Sequence, residues 1–144
     1  MRDSVTQFFS SLQWEHLKAR GYKKVRHTFS RDMDGYTERI KFQGSSWNDS
    51  HSPWRFYINF GVEFPDLPPR TSCRDFPAAH CWTRIERIVP DAPKQYDLPD
   101  TDTAEFVTAL AGYLDCASRQ VARQIRRIRR SYEQRHSPWL STAA

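Results

Sequence analysis

Glycine is scarce in this chain, five in 144 residues, and no stretch of ten holds three of them. Phosphate-cradling and dinucleotide-binding loops concentrate glycine in one short turn, so loops of that kind are excluded. The GxSxG elbow and the HExxH zinc helix are missing as well. Cysteine is sparse and odd in number, at Cys73, Cys81 and Cys116. That argues against a disulfide framework and leads us to expect a cytoplasmic protein. No apolar run approaches the ~20 residues of a membrane helix, and MRDSVTQ carries no apolar signal core. Neither a membrane partner nor an export signal is therefore expected. Cys73, His80 and Cys81 are the one tempting ligand group. Yet the cysteines lie eight apart, neighbouring strand residues point to opposite faces, and no second pair occurs. We expect no metal and no cofactor.

Aromatic residues, by contrast, are plentiful at 14%, and a chain of this length can bury a core without staples. One domain over residues 1–135 is expected, followed by a short tail, 136–144. The net charge of +5 is unevenly placed. Residues 119–135 hold seven arginines against Glu133, and the rest holds 15 basic against 16 acidic residues. The body is neutral and one segment is basic.

The best-patterned stretch is 54–64, where Trp54, Phe56, Ile58, Phe60, Val62 and Phe64 alternate with Arg55, Tyr57, Asn59, Gly61 and Glu63. A period of two over that length predicts a long strand with one dry and one polar face. Ahead of it, residues 4–20 predict a helix with Val5, Phe8, Phe9, Leu12, His16 and Ala19 on its apolar face, Ser4 as N-cap and Gly21 as left-handed stop. Residues 22–30 read as one strand and 36–43 as the next, joined through Asp34-Gly35. In the second, Tyr36, Glu38, Ile40 and Phe42 alternate with Thr37, Arg39, Lys41 and Gln43, the latter set taken as exposed. A fourth, shorter strand is expected within 81–88, with Trp82 and Ile85 on opposite sides. Residues 103–132 predict a long amphipathic helix, with Val107, Leu110, Leu114, Ala117, Val121, Ile125, Ile128 and Tyr132 in one sector and a capping box from Asp102 to Glu105. The fold class is α+β: an N-terminal helix, a three- to four-stranded antiparallel meander and a long C-terminal helix. Both helices are expected on the face of Phe56, Ile58 and Phe60, with the tip of the last one projecting.

Several of these segments occur in a set order. Gly21-Tyr22-Lys23-Lys24, Thr28-Phe29-Ser30-Arg31, Phe42-Gln43 with Ser46-Trp47-Asn48, and Phe56-Tyr57-Ile58-Asn59-Phe60-Gly61 together resemble the bacterial domain-of-unknown-function family 4304. Trp82 with Arg84-Ile85 is similar to a later block. The likeness spans about residues 12–115 and leaves the arginine-rich end of the last helix outside. It implies an α+β bacterial domain and brings no activity, cofactor or catalytic residue.

Two surfaces carry recognition chemistry. On the polar sheet face, Arg39, Gln43, Arg55, Tyr57 and Asn59 lie beside the loop residues Trp47 and Asn48. Guanidinium, amide and aromatic groups together suit a binding surface. The same residues also fit a solvated outer face whose Gln43 and Asn48 only tie down the loop. On the last helix, Arg119, Arg123, Arg126 and Arg130 fall within about 60°, with Arg127 on the flank. That stripe suits phosphates or an acidic partner, and equally a solvated face. No catalytic constellation is recognisable. The expected function is a non-enzymatic protein-binding module, with an immunity or antitoxin-like factor facing a toxin as the guiding class. Nucleic-acid or phosphate binding through the arginine helix is the alternative, and an enzyme using the sheet face is a third. Either a monomer or a homodimer fits.

Overall fold

The computed structural model describes residues 2–25, 28–45, 48, 54–67, 81–99 and 103–133. The chain enters through α1 (Arg2–Leu12), which buries Phe8, Phe9 and Leu12. The helix starts two residues before Ser4, so Ser4 lies in its first turn and is not the cap. The regular spiral then changes gauge, to a π-helical turn over Gln13–Leu17 and a 3-10 turn over Lys18–Arg20. A π turn takes an extra residue per revolution. The buried position after Leu12 is consequently Leu17; His16 is half-buried and Ala19 is exposed. Gly21 stops the helix with φ at +89°, the left-handed conformation glycine adopts at least cost. Its N–H donates to Lys18 O at 3.0 Å, and that of Tyr22 donates to Leu17 O at 3.1 Å. Leu17 and Tyr22, both buried, close this double-bonded C-terminal motif.

The single strand expected over 22–30 is divided. Two strands, β1 (Lys23–Val25) and β2 (Thr28–Asp32), form a hairpin in which Val25 pairs with Thr28. Both ends of one alternating run thus pair with each other, and a period of two does not mark where a strand reverses. β3 (Thr37–Gly44) and β4 (Arg55–Glu63) complete the meander, and β5 (Cys81–Arg84) continues it. The sheet order is β1-β2-β3-β4-β5, every pair antiparallel, with β6 (Tyr96–Asp97) joining the same edge of β4 as β5. The meander is longer than expected, with six strands in the sheet among the described residues.

The dry face of β4 is the expected one: Phe56, Ile58, Phe60, Val62 and Phe64 are buried, as are Ile40 and Phe42 on β3 and Phe29 on β2. Phe8 meets Phe56 at 5.4 Å, and Phe56 stacks on Tyr96 at 5.2 Å and on Trp54 at 5.0 Å. Thr37, expected exposed, is buried on the other face, with its hydroxyl on Asp32 at 3.1 Å.

The last element, α2 (Thr103–Glu133), covers the same dry face, burying Val107, Leu110, Leu114, Ala117, Val121 and Ile128. Ile125 and Tyr132 are partly buried against the core. Asp102, the expected cap, lies outside the described residues. The tip of α2 does not project. Ile128 is fully buried, and Arg129 binds both carboxylate oxygens of Asp66, at 2.8 and 2.6 Å. The short turn after β4 reaches up to hold it.

Candidate functional site

An acid sits in the core. Glu38 lies in phase with Ile40 and Phe42 and is wholly buried. It accepts from the Tyr22 hydroxyl at 2.6 Å, from Arg31 Nη2 at 3.0 Å and from the Ser118 hydroxyl of α2. Arg31 Nη2 also donates to Ser118 Oγ at 2.7 Å, Nη1 donates to Arg20 O at 3.0 Å, and the guanidinium stacks 4.3 Å over the Tyr22 ring. Arg20 in turn binds both oxygens of Asp115, at 2.7 and 2.8 Å. Burial, then the Glu38 charge, push the Tyr22 phenol far above its ordinary range. A buried carboxylate with three donors, one of them a guanidinium, is a satisfied acceptor, while Arg31 Nε is buried without a partner among the described residues. The joint fastens sheet to helix.

The opposite sheet face is built in rows set by strand register. Lys41, Asn59 and Arg84 lie side by side across β3, β4 and β5, and the next row holds Arg39, Gly61 and Trp82. Arg39 donates twice to Glu63 Oε2, at 3.0 and 2.6 Å, and once to Ser30 at 2.9 Å. Asn59 donates to Gln43 at 3.2 Å. The Arg84 guanidinium lies 4.3 Å from the centre of the Tyr57 ring. Trp82 lies across Gly61 so closely that a Cβ there would stand 2.7 Å from the indole. Among the described residues both helices pack on the other face; on this one Asn59 is buried, and Arg39, Gln43, Tyr57, Trp82 and Arg84 are half-buried.

Of the residues picked out by sequence, Arg39, Gln43, Tyr57 and Asn59 share this surface. Arg55 sits at its end, exposed and paired with Asp97 at 2.8 Å. Asn48 does something else. Its amide donates to Arg55 O and accepts from Arg55 N, each at 2.8 Å, so the loop-tying reading holds for this residue. Trp47 lies outside the described residues. Sequence reasoning left out Trp82 and Arg84, which complete the face. The signal was Gly61: a lone glycine inside a strongly patterned strand marks the close approach of another group.

The arginines of α2 divide in two. Arg119, Arg123, Arg126 and Arg130 are exposed along one line. Arg127 is half-buried and bonded to Gln124, while Arg129 is spent on Asp66 and Glu133. A groove of about 310 Å³ lies between the β2–β3 turn and the tip of α2, lined by Met33, Tyr36, Pro65 and the Asp66–Arg129 pair among others. Among the described residues no group of three or more His, Cys, Asp or Glu side chains is placed to hold a metal ion. Nor is any helix there long and apolar enough to cross a membrane.

Residues 14–140 match the family model described as Domain of unknown function (DUF4304). The match runs through the arginine-rich part of α2, which the sequence motifs alone had placed beyond the likeness. No curated protein and no solved structure matches the chain.

Proposed function

Because the chain belongs to the DUF4304 family, whose description assigns no activity, we propose from geometry that it is a protein-binding module acting through its outer sheet face. One observation carries this: aromatic, guanidinium and amide side chains are held in register on the sheet face opposite both helices. Preorganised aromatic and arginine anchors are what protein interfaces use, because little freedom remains to be lost on binding. The Arg39–Glu63 and Asn59–Gln43 bonds fix their owners in place. An immunity or antitoxin-like role belongs to this reading, since blocking a partner asks for a surface and no bond-making.

The test is a comparison of wild-type protein with a Trp82→Ala/Arg84→Ala double variant as bait, at two salt concentrations, with melting curves matched. A partner captured by the first and lost by the second, then bound 1:1 when purified, supports the proposal. Each single replacement should cost on the order of 1–4 kcal/mol of binding. A partner retained equally by both baits overturns it.

A further inference from the structure

The described arginines outside the α2 line are mostly engaged. Arg20, Arg31, Arg39, Arg55 and Arg129 each hold a carboxylate within 3.0 Å. Arg84 stacks on Tyr57, and Arg127 bonds Gln124. Arg119, Arg123, Arg126 and Arg130 make no hydrogen bond or ion pair among the described residues, and all four are exposed. Their spacings of four, three and four residues make them neighbours on one helix face, where like charges repel. Only Arg130 lies in the last turn, where the helix dipole favours a cation. The other three gain nothing of the kind. The fold therefore carries a line of charge that its own contacts do not compensate.

We propose that this line is a second binding surface, independent of the sheet face, and that its ligand is the phosphate backbone of duplex nucleic acid, read without regard to sequence. The four residues span about 16 Å at 1.5 Å per residue. A duplex strand presents roughly five phosphates over that length, at 3.4 Å of axis each. An acidic protein is the competing partner. Protein interfaces, however, set arginine anchors among aromatic and apolar residues, and the residues flanking this line include Gln120, Ala122 and Gln124 with no exposed aromatic. A straight row of long, unpaired guanidiniums over a polar flank fits a track of phosphates better than a packed core. The dry side of the same helix is already used against the sheet, so the row faces away from it.

The experiment is fluorescence anisotropy of a labelled 20-base-pair duplex with the full chain, at 50, 100 and 200 mM salt. Four phosphate contacts give a log–log slope of about −3 to −4, so affinity should fall roughly 100-fold across that range. Replacing the four arginines together by glutamine should abolish binding without lowering the melting temperature. Replacing them by lysine should keep affinity within about threefold, because a phosphate track asks for charge and not for a fork. The Trp82→Ala/Arg84→Ala variant should bind the duplex as wild type does, which separates failure of this surface from failure of the sheet face. Three results overturn the proposal: no binding at 50 mM salt, binding that survives the glutamine replacements, or polyglutamate of matched charge competing as well as duplex. The last would give the row to an acidic protein.

Discussion

At Gly61 a hydrogen atom decides whether two strands can carry the outer face. The Trp82 indole lies where a side chain would be, so Gly61→Ala forces the ring or the strand to move. We expect a loss of about 1–3 kcal/mol, as for other overpacked sites. In a double-mutant cycle most of it should return when Trp82→Ala is added; unchanged cost in the double variant would place the strain elsewhere. Glu38 poses the opposite problem, a charge that is stable only while its neighbours stay. Ser118→Ala removes one of three donors and should cost about 1–3 kcal/mol. Glu38→Gln strands Arg31 beside a neutral group and should cost about 3–5 kcal/mol by chemical denaturation. The same joint sets an alkaline limit. The fold holds Tyr22 as the neutral phenol, through burial first and the Glu38 charge second, and burial likewise raises Tyr36 and Tyr96. Unfolded tyrosine loses its proton near 10. The stability tied to these phenols is thus complete below about pH 10 and is lost progressively above it. Phenolate absorbance followed against pH should rise in part with the loss of near-ultraviolet circular dichroism. Ionisation of all six tyrosines near pH 10 in a folded protein would contradict this.

Among the elements, β4 and α2 were legible because their periods run uninterrupted: the dry residues of β4 and most of the apolar sector of α2 are buried as the sequence pattern required. Phe56→Ala and Ile58→Ala should each cost roughly 2–5 kcal/mol through the cavities they leave. A midpoint shift for either below that of exposed Glu105→Ala would mean the faces are misassigned. The missed features are those where the period itself changes. The π turn over Gln13–Leu17 adds a residue, so extrapolating 100° per residue beyond Leu12 lands on His16 and Ala19 when the buried residue is Leu17. The β1–β2 reversal hides inside a single alternating run for a similar reason. Neither pattern could show that α2 is clamped at its end, because Arg129 and Asp66 lie 63 positions apart.

For the molecule as a whole, the candidate surfaces were half legible. Arg39, Gln43, Tyr57 and Asn59 follow from one face of two adjacent strands, and the sequence places them together. A fourth strand within 81–88 was expected, but Trp82 and Arg84 required its register on β4, with Trp82 beside Gly61 and Arg84 beside Asn59, which alternation cannot specify. The role of Asn48 turned on whether its amide meets backbone or solvent, which only the fold decides. Sheet architecture also governs how the protein fails. β4 is the longest strand and the most apolar, and it never forms an edge. Among the described residues, three-residue β1 bounds one side of the sheet, and on the other the four residues of β5 and the two of β6 share the edge of β4. Short edges offer little template for intermolecular pairing. Their detachment would bare a segment whose composition suits a fibril spine. Self-association should therefore begin from local opening of β5 and β6, well before global unfolding. Tyr96→Ala, which frees β6 from its stack on Phe56, should shorten the lag of thioflavin-positive fibril growth more than an equally destabilising Phe9→Ala in α1. Long-term colloidal behaviour would then be set by the two smallest strands on that side of the fold.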